Sequence, residues 1–332
     1  MFLGHQMGDV SDRKLQWAAQ LGVEHIACES RSGIENEDGT WNVATIKELQ
    51  ERLAGWGMTM DVLALNLPSQ YITRQRFPGI MRGTPSRDGE IEVIKQNVRA
   101  AGEAGVPALK YNLNFLGVPR TGRTKGRGGA MYSHFDIDEW TDHSLTEAGP
   151  MPAEKVWENI TYFLERVVPV ANEAKVRLAC HPHDPAVPHD TGLRGIHCVL
   201  GSVEGLQRFV SICESPYHGL NFCQGTVAEM CEDPATEVPA AIRRFGEQGK
   251  IFMVHFRNIK GRFLHFDEVY PDNGDVDMFQ AVKTYRAAGV SAMLCPDHVP
   301  QSAADPDGER QFSYCLGYTR ALLQAADATP GT

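Results

Sequence analysis

Four short segments carry side chains able to bind a transition metal: Cys180-His181-Pro182-His183-Asp184-Pro185, Asn221-Phe222-Cys223-Gln224-Gly225, Val254-His255-Phe256-Arg257-Asn258 and Cys295-Pro296-Asp297-His298. Each closes a short apolar run that reads as a buried strand. The candidate donors His181, Cys223, His255 and Asp297 are separated by 42, 32 and 42 residues. One strand-plus-helix unit of an eightfold α/β barrel averages ~31 residues, more when its loops are decorated. The spacing therefore fits four consecutive barrel strands, each delivering one donor to the same rim. A lone histidine, aspartate or cysteine at a strand end is more often structural. What separates this set from that reading is four such residues at one end of adjacent strands. Two imidazoles, a thiolate and a carboxylate suit zinc, ferrous iron, cobalt or nickel by donor softness. A catalytic ion keeps open positions for substrate oxygens.

The elements that must position these donors alternate along the chain. Strand candidates fall at Met1–His5, Val23–Cys28, Thr59–Leu65, Ala108–Leu113, Val176–His181, Gly219–Cys223, Lys250–His255 and Ser291–Asp297. Helices are expected over Asp12–Gln20 (with Ser11 as cap), Val43–Trp56, Gly89–Ala104, Ala153–Ala174, Val203–Cys213, Ala235–Glu247, Val276–Ala288 and Glu309–Ala326. Eight strands alternating with eight helices, without Asn-Gly hairpins, predict parallel strands with helical crossovers. The fold class is α/β: a (β/α)8 TIM barrel forming a single domain over residues 1–332.

Residues 115–150 form the longest connection, with five glycines between 117 and 129 beside Arg120, Arg123, Lys125 and Arg127. A loop of that length is functional or disordered. It reads either as a solvated surface loop or as a lid whose arginines face an anionic substrate. The chain of 332 residues has a formal charge of −10, which argues against nucleic-acid or anionic-membrane partners. No run approaches a membrane span and the N-terminus lacks signal-peptide regions, so a soluble cytoplasmic protein is expected. The eight cysteines show no paired motifs and read as reduced core residues, Cys223 excepted.

At these segments the chain resembles the mannonate dehydratases, hexuronate-pathway enzymes on a xylose-isomerase-like barrel. The residues carrying the likeness are His181-Pro182-His183-Asp184-Pro185, Cys223-Gln224-Gly225, His255-Phe256-Arg257, Gly274-Asp275-Val276-Asp277-Met278 and Pro296-Asp297-His298, with Tyr111-Asn112 ahead of them. The resemblance implies a divalent ion, manganese above all, on His181, Cys223, His255 and Asp297. It also implies His298 as acid/base, Arg257 near an acidic sugar substrate, and Tyr111 in the site. Two positions depart from the family pattern. His183 stands where an aspartate is usual, and Val299–Gln311 lacks the tyrosine proposed there as proton donor. Tyr314 and Tyr318 follow only in the last helix.

The expected reaction is dehydration of D-mannonate to 2-keto-3-deoxy-D-gluconate. It removes the proton α to a carboxylate and expels the β-hydroxyl, so it needs charge stabilisation, a base and an acid. Arg257 offers a fork for a carboxylate, or a structural ion pair. Gly274–Met278 serves the site or simply caps the following helix. The alternatives are a metal-dependent isomerase, epimerase or lyase of the same superfamily, and a non-catalytic sugar-binding subunit. A homo-oligomer is compatible with all three.

Overall fold

The computed structural model describes residues 1–29 and 33–328. Residues 30–32, in the Gly/Asn/Asp-rich stretch after the second strand, and residues 329–332 lie outside the described residues. In the first half of the chain, strands β1 (Phe2–Met7), β2 (His25–Cys28), β3 (Thr59–Ala64) and β4 (Ala108–Tyr111) alternate with helices α1 (Asp12–Gln20), α2 (Val43–Ala54), a short α3 (Pro78–Arg82) and α4 (Arg87–Glu103). Two further strands follow, β5 (Gly122–Lys125) and β6 (Met131–Asp136), and then the long helix α5 (Ala153–Ala174). The second half runs β7 (Arg177–Cys180), α6 (Val203–Ser211), β8 (His218–Cys223), α7 (Gln224–Ala228), α8 (Pro234–Glu247) and β9 (Ile251–His255). It ends with β10 (Asn258–Arg262), β11 (His265–Val269), α9 (Met278–Ala287), β12 (Met293–Cys295) and α10 (Glu309–Ala328).

Eight strands close a parallel barrel in the order β1-β12-β9-β8-β7-β4-β3-β2. Strand alternation sorts their side chains into two sets. Phe2, Ala27, Val62, Ala108, Met253, Met293 and Cys295 fill the bore. Leu109, Leu178, Leu220 and Leu294 face the helix layer and join the main core. Gly4 is required by this filling, because a Cβ there would stand 1.8 Å from the sulfur of Met293. Helix α5 forms because its apolar positions, including Val156, Ile160, Phe163, Leu164 and Val167, recur at helical spacing and are all buried.

The remaining four strands were not expected. They form an antiparallel sheet in the order β10-β11-β6-β5. The stretch 115–150 is thus not irregular throughout: it contributes β5, β6 and two 3-10 turns at Arg127–Gly129 and Ile137–Glu139. Its partner is a hairpin in which Arg262 faces His265 across a two-residue loop. Leu264 holds φ 64 in that loop. Glycine or asparagine ordinarily takes this left-handed conformation, so the letters carried no turn signal. The segment Gly274–Met278 does cap a helix: Asp277 accepts a hydrogen bond from the Gln280 N–H at 2.9 Å. Ser11 occupies the cap position of α1, but its side chain makes no capping bond. No helix of the described residues is long and apolar enough to cross a membrane.

Candidate metal centre and catalytic cleft

His181 follows β7, Cys223 ends β8, His255 ends β9 and Asp297 lies two residues beyond β12. Parallel strands closing a barrel bring those ends together, and the four donor atoms all lie within 4.8 Å of one another. The Nδ1–H of His181 donates to the Pro182 carbonyl at 2.7 Å. That bond leaves Nε2 as the free lone pair. Burial holds the His181 imidazole below its ordinary pKa, favouring the neutral form a metal ligand needs. Burial alone would raise the Cys223 thiol, but the Arg257 charge and the adjacent His255 imidazole outweigh it and favour thiolate. Asp297 is likewise pulled well below the carboxylate range, against burial, by His255 and His298.

The donor set fits a divalent ion on further grounds. His255 Nδ1 lies 3.1 Å from Asp297 Oδ2. Yet His255 Nδ1 and the neighbouring Asn221 Oδ1 are buried without a hydrogen-bond partner among the described residues. Buried polar atoms are rarely left so, and an ion between the donors would satisfy them.

Behind these donors lies a buried ion network. Arg257 Nη2 reaches Asp184 and Glu229, each at 2.8 Å. Arg120 Nη2 contacts Asp184 at 2.6 Å and also binds Glu268. Glu229, fully buried and beside Asp184, is pushed well above the carboxylate range. Two guanidinium groups therefore face three carboxylates, and burial beside Asp184 disfavours the charged form of Glu229. Gly225 makes the arrangement possible, since a Cβ there would stand 2.5 Å from Arg257 Nη1. The Cys-Gln-Gly motif thus combines a donor with the space its neighbour's guanidinium fills.

His298 joins the network to the rim. Its Nδ1 lies 2.8 Å from Glu268 Oε2, and its Nε2 lies 3.5 Å from Asp297 Oδ2. Burial would lower its pKa, but the Glu268 and Asp297 carboxylates raise it to about 10. The side chain remains 36% exposed and lines a cleft of about 520 Å³. That volume suits a sugar-sized ligand. His181, Asn221, His255 and Asp297 line the same cleft.

Two expected site residues, Arg257 and Tyr111, are placed differently, and His183, the departure from the family pattern, is enclosed. Arg257, expected near the substrate, is 4% exposed and engaged by Asp184 and Glu229. Tyr111 touches the cleft wall, but strand alternation turns its ring outward onto Phe163, with centroids 5.9 Å apart. Its hydroxyl is sealed beside Cys180, and burial raises its pKa well above the usual value. His183 is buried, its Nε2–H donating to the Leu113 carbonyl at 2.6 Å and its Nδ1 accepting from the Leu200 N–H at 3.3 Å. Burial lowers it to about 4, so it is a neutral core histidine. Among the loop arginines, Arg120 belongs to the ion network and Arg127 pairs with Asp272 at 2.6 Å.

Sequence reasoning missed the other half of the cleft. Lys110, on β4, points into the barrel mouth, where Nζ bonds Gln6 Oε1 at 2.5 Å and Glu29 Oε1 at 2.7 Å. Gln6 Oε1 is itself 3.2 Å from His255 Nε2. Arg74 stands exposed in the cleft lining, with no carboxylate partner among the described residues. The available signal was alternation: Ala108 faces the bore, so Lys110 must face the same way.

Comparison with known proteins gives a consistent picture. The family model described as D-mannonate dehydratase (UxuA) matches residues 138–325. A mannonate dehydratase from Thermotoga petrophila is 28% identical over 297 residues, covering 78% of each chain. One from Shouchella clausii is 26% identical over 316 residues, covering 83% of this chain and 82% of that protein. The crystal structure of mannonate dehydratase from Streptococcus suis superposes with a TM-score of 0.79 at 23% identity, over 100% of this chain and 97% of that one. An L-ribulose 3-epimerase structure shares the fold at a TM-score of 0.58 and 14% identity, over 99% of this chain and 96% of that one.

Proposed function

The chain belongs to the D-mannonate dehydratase family, and on that premise we propose that it is a metal-dependent hydro-lyase converting D-mannonate to 2-keto-3-deoxy-D-gluconate. The observation that carries the reading is the convergence of His181, Cys223, His255 and Asp297 within 4.8 Å at the mouth of the sugar-sized cleft. These four residues hold the ion, which we take to be manganese on the strength of the resemblance. When bound, the ion neutralises the carboxylate end of the substrate as negative charge builds there. A cytoplasmic setting in hexuronate breakdown belongs to the same reading.

The chain's own residues supply the proton chemistry. Loss of water from a 2,3-dihydroxy acid needs a base for the C2 proton and an acid for the departing C3 hydroxyl. A proton must then return to C3 as the enol becomes the ketone. His298 is placed to take the C2 proton once a cation on the neighbouring donors offsets the Asp297 charge that helps hold it protonated: it lines the cleft beside Asp297, and Glu268 fixes its Nδ1 side so that Nε2 is left for the substrate. Lys110 is the group left to protonate the hydroxyl. Tyr111 and His183 are enclosed, whereas the Lys110 ammonium faces the cleft, two contacts through Gln6 from His255. Glu29 holds that ammonium in place at 2.7 Å. Arg74, with no carboxylate partner among the described residues, adds positive charge at the cleft wall, which favours an acidic over a neutral sugar.

The test is turnover by manganese-loaded protein, with product followed by a colorimetric 2-keto-3-deoxy acid assay. Release of that product from D-mannonate is the expected result. Interconversion of ketoses without elimination would replace this reading with the epimerase one.

A further inference from the structure

We propose that the antiparallel sheet carries a second binding site for a divalent transition metal, with zinc as the fitting ion, formed by His134, Asp136 and Glu139 and braced by Asp267. This site shares no residue with the barrel centre and goes beyond the dehydratase reading. It follows from the pairing of β6 with β11, where His134 stands opposite Asp267 and Asp136 opposite His265. Residues two apart on a strand share a face, so the two imidazoles and two carboxylates form one patch. The turn Ile137–Glu139 then brings the Glu139 carboxylate back over it.

Donor geometry within the patch is close to what an ion needs. One donor atom from each of His134, Asp136 and Glu139 lies within 4.8 Å of the others. His134 Nδ1 is 2.9 Å from Asp267 Oδ1, and the carboxylate orients the ring as in carboxylate–histidine–metal units. The other nitrogen, Nε2, faces Glu139 Oε2 at 3.6 Å, too far for a hydrogen bond. Zinc bonds of ~2.0–2.2 Å place neighbouring tetrahedral donors roughly 3.3–3.5 Å apart. The observed separation is therefore nearly that of two donors on one ion. The His134 side chain is only 10% exposed, so the nitrogen aimed at Glu139 has little access to water.

Charge points the same way. Asp136, Asp138, Glu139 and Asp267 outnumber the cations of this face, Lys260 and Arg262 opposite Asp267 and His265, and among the described residues none of the four pairs with lysine or arginine. Their ion-pair partners among the described residues are His134 and His265, while the Thr124 hydroxyl donates to Asp267 and the Asp138 N–H to Asp136. A divalent ion relieves that excess. Across the sheet, the same strand β11 presents Glu268 to His298. An ion on the outer face would thus stiffen the strand that positions the catalytic histidine.

Equilibrium dialysis of the manganese-loaded protein against micromolar zinc chloride, with elemental analysis, tests the proposal. An anomalous difference map at the zinc edge then locates the ion. Wild type is expected to bind a second ion at the sheet. Glu139→Gln, whose side chain is 59% exposed and so dispensable for folding, and His134→Gln should each lose it while keeping the barrel ion and an unchanged circular dichroism spectrum. Three results would overturn the site: no ion at the sheet in wild type, a second ion elsewhere, or one that survives both substitutions. The first would assign His134 to a plain bridge between Asp267 and Glu139. None of these outcomes touches the dehydratase reading.

Discussion

Strands β7, β8, β9 and β12 lead at the rim to His181, Cys223, His255 and Asp297, whereas β1, β2 and β4 lead to Gln6, Glu29 and Lys110. The first half-rim gathers lone pairs and negative charge around a point where a cation fits. The second offers an ammonium held between an amide and a carboxylate. Gln6 is where they meet, contacting Lys110 Nζ at 2.5 Å and His255 Nε2 at 3.2 Å. On the proposed reading the contrast assigns charge stabilisation and protonation of the leaving hydroxyl to opposite sides of one cleft, so each should be removable without the other.

The largest expected effect breaks the metal side. Asp297→Asn removes a charged donor, and bound manganese should fall together with turnover, by ~10⁴-fold or more since the ion stabilises developing charge directly. Elemental analysis beside the activity assay checks this; full activity with metal lost would end the division of labour. Lys110→Met acts on the other side. It should leave the bound metal unchanged and lower kcat by ~10²–10³-fold, in the range for a single positioned proton donor. A drop in metal content as large as the drop in kcat would mean that Lys110 merely holds Gln6 against His255.

The smallest effect sharpens the comparison on the outer face of a strand that carries a donor. His218 begins β8, five residues before Cys223, and points outward, where its Nε2–H donates to the Phe209 carbonyl at 2.9 Å. Burial lowers its pKa to about 4 from 6.5. A folded-state pKa below the unfolded one means that the unfolded chain takes up the proton first. Stability is therefore complete above 6.5 and is lost as pH falls from there through about 4. His218 should account for about 2 kcal/mol of the loss between pH 7 and 5. Urea unfolding of wild type and His218→Asn at both pH values, with chelator present, measures it. Equal losses in the two proteins would show that His218 is not the buried neutral group described.

How much of this was legible follows from what each residue type advertises. The barrel was readable because buried parallel strands are short apolar runs and their helices carry a 3.6-residue period; α5 falls on Ala153–Ala174 as expected. The four donors stood out because histidine, cysteine and aspartate at strand ends are unusual enough to notice. Lys110 was passed over because a lysine at a strand end looks like surface. Tyr111, expected in the site, touches the cleft wall but lies one residue from Lys110 on the opposite face of β4, with its ring turned outward. The antiparallel sheet was invisible for a different reason. Strand β5 lies in a glycine-rich stretch that reads as flexible, and the hairpin turns at Leu264 without a turn residue. Arg257 illustrates the last limit: a guanidinium suits a substrate carboxylate or a buried one equally well, and only folding shows which is near.

That sheet bears on how the molecule can be altered. In an ordinary α/β barrel each connection at the catalytic end is a separate module, exchangeable without regard to its neighbours. Here β6, in the connection after β4, hydrogen-bonds with β11, in the connection after β9, more than a hundred residues later, and β5 and β10 flank that pair. Grafting either connection alone from a relative would leave the other with an open strand edge, a template for pairing between molecules. Lineages that retune this cleft must therefore change the two connections together or keep both.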